Sequence, residues 1–523
     1  MKTTMFGTKR RSRAAGAGLL LLSLTILPVL AGCNGTGPTE GQELLRVIAS
    51  AGPRSLDPAQ ARDTPSVVIM RQIYDTLLDV DPDTMEVVPA LAESWAFETD
   101  AQGRHTLLRM YLKRGVKFHN GDDFTAADVK FTLDRAKASP HLTNMVEAVS
   151  RTEIVDDYQV LIVLDFPFAP LLNNLALPLM GITGERAVTE AGDAYAQHPI
   201  GTGPMKFVNW IVGSQIELTR WDGYYGPAPK IKDIVIRFIP DAATALLEME
   251  TGGADMLLNV QPQDIRRIDA MDGLQIFRTK DLSLYAIGMN FLRPPFDDIR
   301  VRKAILHAVD RDAIVKTVYQ GVGSVGRGPL PEKVWASAAD ILPQYEYDPE
   351  KSRQLLAEAG FPDGFTTNVY TNDSAPRIDT VVILQDMLAR VGITLDVRIL
   401  EWTTFLDVTN RGEHDLYTNG WVTVSGDPDY GLEIFHSRAW GDPGNRAFYS
   451  RPEVDRLLDL GRMEVDPVRR EQLYIDAQKL IHEDAPWIYI LDGEQVVATG
   501  DKLRGFNINP TGYHTLSTVW FAD

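Results

Sequence analysis

Apolar residues recur along this chain in two rhythms, one of period two and one of period three to four, and the rhythms take turns. Leu44–Ala49 (LLRVIA) and residues 231–239 (IKDIVIRFI) are short apolar runs that predict strands, while Ile393, Leu395, Val397 and Ile399 alternate as a half-buried strand does. Residues 67–80 read as a helix ending in a strand, with Ile69, Ile73 and Leu77 on one face. Val129, Leu133 and Ala136 mark the inner face of a helix opened by Thr125-Ala126-Ala127-Asp128, close to a capping box. Ala242–Glu250 predicts a helix closed by Gly252-Gly253, and Val301, Ala304, Ile305, Ala308 and Val309 share the face of another. Asp348-Pro349 and Asp466-Pro467 each set an N-cap aspartate before a first-turn proline, and Gly360 and Gly392 end helices. The pattern predicts a mixed α/β protein.

One stretch follows neither rhythm. Residues 417–450 carry Trp421, Tyr430, Phe435, Trp440, Phe448 and Tyr449 among glycines, prolines and polar residues. Connections this long are functional or disordered, and so many aromatics argue against disorder. This stretch is expected to meet the partner, with core packing as the alternative for any single aromatic.

At the start of the chain, Lys9, Arg10, Arg11 and Arg13 precede an apolar run over residues 14–30, the layout of a secretory signal peptide. Pro28 near the end of so short a run disfavours a spanning helix. Leu30-Ala31-Gly32-Cys33 resembles a bacterial lipobox, which implies a diacylglycerol thioether on Cys33 and cleavage before it. Residues 1–32 are thus expected to be a signal peptide and 33–43 a lipidated cysteine with a flexible tether. The mature protein is expected to be exported and anchored through lipid only, on the outer face of the cytoplasmic membrane or in the periplasm.

Cys33 is the only cysteine in 523 residues, which excludes an intrachain disulfide and a cysteine-based metal cluster. A chain of this length is expected to hold more than one domain, and a net charge of −19 argues against nucleic acid as a partner. Neither H-E-x-x-H nor G-x-S-x-G occurs, so a secreted hydrolase cannot be assembled from these motifs, although paired carboxylates stay open. The nine histidines show no ligand spacing, and no metal, cofactor or catalytic residue is expected.

Several motifs occur in an order that resembles the bacterial extracellular solute-binding proteins of family 5, the dipeptide, oligopeptide, glutathione and nickel receptors of ABC importers. They are PALAESW (89–95), KRGVKFHNG (113–121), FTAADV (124–129), PIGTGP (199–204), DLSLYAIGMNFLRPPFDDIRVR (281–302), and GWVTVSGDPDYGL (420–432) followed by NRAFYS (445–450). The resemblance covers essentially the whole mature chain. It implies a type II two-lobed Venus-flytrap fold of the periplasmic binding proteins, with an additional subdomain in the N-terminal lobe. Lobe I would comprise residues 44–80, 198–285 and 495–523, the subdomain 81–197, and lobe II 286–494.

The resemblance further implies a monomeric receptor, not an enzyme, that closes on a peptide or peptide-like solute and delivers it to an ABC permease. Its site is expected from Ala59 and Arg62 behind the Leu56-Asp57-Pro58 turn and from Gly201, Thr202 and Gly203, with tight-turn chemistry as the alternative for the glycines. Trp421, Val424, Asp427, Tyr430 and Arg446 are expected opposite them. In the dipeptide and oligopeptide receptors an aspartate three residues after the tryptophan pairs with the peptide amine; here that position is Val424. Asp427 and Asp429 are the substitutes this stretch offers, unless Asp427-Pro428 serves a turn. A nickel chelate, haem, an oligosaccharide or an opine-like compound are the alternative solutes.

Overall fold

The computed structural model describes residues 43–61, 63–441 and 444–522. Helix starts follow the aspartates: Asp63, Asp241, Asp298, Asp310, Asp348 and Asp466 each accept a backbone N–H at the N-terminus of their helix. Thr125 and Asp128 form the expected capping box at the head of Ala126–Ala138.

Ten of the described strands form one mixed sheet. They are β1 (Leu44–Ala49), β2 (Met205–Ile211), β3 (Gln215–Arg220), β4 (Asp233–Phe238), β5 (Met256–Leu257), β6 (Leu274–Met289), β7 (Thr366–Asn372), β8 (Thr394–Leu400), β9 (Leu416–Val422) and β10 (Trp487–Gly500). Their spatial order is β8-β7-β9-β6-β10-β5-β1-β4-β3-β2. On one side, β1 runs parallel to β4 and β5; on the other, β7 runs parallel to β8 and β9.

The two sides are strung on β6 and β10. These long strands pair antiparallel from Leu274 opposite Gly500 to Gly288 opposite Trp487. The first half of β6 pairs only with β10, whose own outer neighbour there is β5. From Ser283 onward β6 also pairs with β9, Ser283 lying opposite Val422. At the changeover the register against β10 shifts between Lys280 and Leu284. An irregularity of this kind bends a strand and re-aims its side chains. The chain therefore passes between the halves at 280–284 and 491–494.

Each half has its own core. Leu45, Val47, Ile69, Ile73, Ile234 and Ile236 lie in one, which the tail rejoins through Leu516 and Val519. Ile287, Val301, Ile305, Leu384, Leu388 and Ile488 lie in another. A four-stranded antiparallel sheet (Ala92–Glu98, Leu107–Leu112, Gln159–Leu164, Val149–Asp156) packs with helix Ala126–Ala138 around a third.

The reading of 417–450 as one long connection is corrected at its start, and the core-packing alternative holds for two of its aromatics. Its first residues are β9, held between β6 and β7, and Phe435 and Tyr449 are core. Apolar and polar residues do not alternate in a strand buried on both faces, so the period-two signal was absent.

Asp492 sits at the second passage. It is 2% exposed, and its Oδ1 has no partner among the described residues. Burial pushes its carboxyl up to about 8, against the pull of Lys280, which is itself paired with Glu332. The folded state thus holds a proton that the unfolded chain, with an ordinary carboxyl near 3.8, releases. Stability from this proton is complete at acid pH and lost as pH rises through about 8. Asp492→Asn should flatten that fall and make the protein more resistant to urea than the parent at about pH 9, with little difference at about pH 4.

Candidate functional site

A cavity of about 390 Å³ opens between the two halves. Residues 49–51 at the end of β1, the first turns of helix Thr64–Ile73, and Pro510 to His514 line it from one side; Val422 and Val424 line it from the other. Asp281, Ser283 and Tyr285 of β6 and Gln495 of β10 line it at the passage itself. Its apolar part comes from Val68, Ile69, Ile236, Leu258 and Val424. His514 is held neutral, with its imidazole lowered to about 4 by burial, and its Nδ1 accepts from the Asn509 N–H. His514 apart, Asp281 is the one acidic or basic side chain among the described residues of this lining.

A second cavity, of about 370 Å³, shares Asp281, Ser283 and Tyr285 with the first, so the two join at these residues. Arg377 and Trp402 line it. The Arg377 guanidinium lies 5.8 Å from the Tyr285 ring centre and 5.7 Å from that of Trp402, and Nη1 donates to Asn372 Oδ1 at 3.0 Å. Gly420 makes room for it: a Cβ there would come within 2.6 Å of Nη2. Among the described residues no carboxylate pairs with Arg377, and burial lowers its affinity for its proton. It also stands in the first turn of helix Ala375–Ala389, where the macrodipole favours anions. A cation so placed is held at a cost that an arriving carboxylate would offset.

Contacts also cross the opening. Arg462, fixed by Asp429 and Glu433, reaches Glu147 at 3.1 Å, the Ala169 N–H donates to the Arg462 carbonyl, and Asn173 donates to the Ser425 carbonyl.

Of the residues expected from the sequence, Val424 lines the cavity. Most of the others are committed elsewhere. Asp427 is 1% exposed, caps helix Pro428–Leu432, and receives Nη1 and Nη2 of buried Arg470 at 2.7 Å each. Asp429 is paired with Arg462. Neither carboxylate is therefore available to an amine, which corrects the expectation for Asp427. Trp421 and Tyr430 stack on each other with ring centres 5.6 Å apart, behind the lining residues and with Tyr430 close to Tyr513, and the Trp421 indole donates to the Tyr430 carbonyl.

Thr202 donates to Asp75, while the Gly201 carbonyl accepts from the His119 N–H and the Gly203 carbonyl meets His119 Nε2. A Cβ at Gly201 would lie 2.1 Å from the Ile73 carbonyl, so these glycines serve close backbone packing, the tight-turn alternative, and not the lining. The Ala59 N–H donates to Asp57, the partner of Arg135, and the Arg446 Nε donates to Asn410; neither residue lines the cavity. Arg62 and Cys33 lie outside the described residues.

Sequence reasoning missed Asp281, Tyr285, Arg377 and Gln495. Two signals were present: an aspartate inside an apolar strand run, and an arginine in a helix's first turn.

Comparison with known proteins decides the family. The family model for bacterial extracellular solute-binding proteins, family 5, matches residues 86–442. The chain belongs to this family. The glutathione-binding protein GsiB of Pectobacterium atrosepticum is 32% identical over 468 residues, 87% of this chain and 90% of that protein. Among solved structures, HbpA2 from Haemophilus parasuis aligns with a TM-score of 0.84 at 28% identity, covering 92% of this chain and all of the other. DppA from Helicobacter pylori, in complex with the peptide STSA, aligns with a TM-score of 0.74 at 29% identity, covering 92% and 98%. The fold is thus the two-lobed type II binding-protein fold expected from the sequence, and the chain is an extracytoplasmic solute-binding protein of family 5, whose members are receptors.

Because Asp427 and Arg470 neutralise each other inside this protein, their roles are structural. Arg470→Ala, which leaves a buried carboxylate unpaired, should cost about 3–5 kcal/mol in urea unfolding. Asp427→Asn combined with Arg470→Met should lose much less, because no buried charge is left alone.

Proposed function

We propose that this solute-binding protein is the lipid-anchored receptor of an ABC importer, a monomer that closes its two lobes on a peptide-like solute and presents it unchanged to a permease. The observation that carries the peptide-like reading is Arg377, a guanidinium that faces the cleft without a carboxylate partner among the described residues, between two aromatic rings. Such a group matches a carboxylate bidentately. The names of the relatives point the same way, one a glutathione-binding protein and one seen with a bound peptide. Lobe I is taken as residues 44–80, 198–285 and 495–523, the subdomain as 81–197 and lobe II as 286–494. The separate cores and the two passages on β6 and β10 support that division.

Closure is linked to binding by differential affinity: a solute that touches both lobes stabilises the form in which both reach it. The lining from Thr64 to Ile69 and from Val422 to Val424 comes from opposite sides, so a solute filling the cavity meets that condition.

Native mass spectrometry of the purified protein, followed by denaturation to release what it carries, tests the reading. A small amino-acid-derived solute held one to one is the expected result; recovery of a metal, haem or an uncharged sugar overturns it. For such a solute, Arg377→Gln should weaken binding by about 2–4 kcal/mol while the melting temperature without solute stays unchanged or rises. Replacing Cys33 by Ser should move the exported chain from the membrane fraction to the soluble one, because the thioether anchor is lost.

A further inference from the structure

We propose that Asp281 is the counter-charge for the solute's ammonium group, so that this receptor selects solutes with a free amine and rejects those whose amine is blocked. The proposal rests on the peptide-like reading of the cleft and adds to it the residue that reads the amine.

Four observations converge on Asp281. It stands where the two cavities join and lines both. It falls in the 280–284 irregularity of β6, the device that turns a side chain out of a regular ladder. Its carboxylate has only neutral donors: Oδ1 accepts from the Ser283 N–H at 2.8 Å and Oγ at 2.6 Å, and Oδ2 accepts from Gln495 Nε2 at a long 3.3 Å. Among the described residues no cation pairs with it, and the acids Glu494 and Asp492 lie close enough to act on it. Burial pushes its carboxyl above the ordinary value. Oδ2 retains acceptor capacity, which a three-donor ammonium fits.

The space is kept open by Gly493, where a Cβ would come within 2.5 Å of Oδ1, 2.8 Å of Oδ2 and 2.1 Å of Ser283 Oγ. Opposite Asp281, Val424 brings no charge, and Glu494 is already engaged by Arg278. A half-buried anion without a cation is unfavourable, and an entering ammonium lessens that penalty on both sides at once. With Arg377 in the adjoining cavity, the cleft presents opposite charges to one zwitterion, leaving the apolar lining for its side chains.

Isothermal titration of the purified protein with reduced glutathione, trialanine and Nα-acetyltrialanine tests this. The parent should prefer at least one free-amine probe over the acetylated peptide by about tenfold or more, and Asp281→Asn should abolish the preference by losing the free-amine affinity. Gly493→Ala, which keeps the aspartate but displaces it, should do the same, whereas Arg377→Gln should weaken both peptides and keep the preference. If Asp281→Asn still discriminates as the parent does, the assignment of Asp281 is overturned and the peptide-like reading stands. If the parent binds none of the three probes, the peptide-like reading falls and this proposal with it. Thermal melting without solute separates a structural role: Asp281→Asn should melt no lower than the parent, and a clear drop overturns the proposal.

Discussion

The pairing of β6 with β10 is the constraint on which the rest depends. Two antiparallel strands of sixteen and fourteen residues thread both halves of one sheet, so neither half can be assembled without the other's strands arriving in register. A ladder that long would be stiff if regular. Its irregularity between Lys280 and Leu284 is where regular pairing is suspended, and with it the resistance to bending. The same short interval holds Asp281, with Asp492 close by on the partner strand. Charge, backbone irregularity and the passage between lobes therefore coincide. Two carboxyl groups without a paired cation among the described residues thus sit at the passage between the lobes.

This placement separates two kinds of charge withdrawn wholly or partly from solvent. Arg470 with Asp427, and Arg462 with Asp429, are satisfied inside one lobe and stiffen the segment after β9 into a fixed wall. Asp281 and Arg377 have hydrogen-bond partners but no paired opposite charge among the described residues. Burial is costly for all of them, and the difference lies in who compensates it. A charge neutralised by a neighbour contributes to shape, while one left with only neutral donors contributes to recognition.

Much of the fold was legible in the sequence because it is written locally. Asp-Pro starts at 348 and 466, the Thr125–Asp128 box and the alternation from Ile393 to Val397 each act within a few residues, and each appears in the structure, whereas Ile399 is exposed at the end of its strand. The site was far less legible. Its lining is drawn from β1, the first turns of helix Thr64–Ile73, β6, β9, β10 and the turn before His514, each giving only a few residues. No single stretch carries a pattern dense enough to mark it. The aromatics of 417–450 divide: Phe435 is core against Trp487 and Tyr449, Trp421 lies on Tyr430, and Tyr430 and Trp440 remain exposed. Val424 was found because it sits in that stretch, whereas Asp281 lay in a run that reads as an ordinary core strand.

Arg462 has one further consequence. Its guanidinium is already oriented by Asp429 and Glu433 on its own lobe before it reaches Glu147 across the opening. Closing therefore needs no search by a long flexible side chain; the arm is pre-aimed, and only the half-exposed Glu147 has to meet it. Attraction between such partly solvated charges fades with added electrolyte. The grip across the opening is thereby set partly by the salt content of the surroundings, while the Arg462–Asp429 pairing that aims the arm, more deeply buried, is screened less.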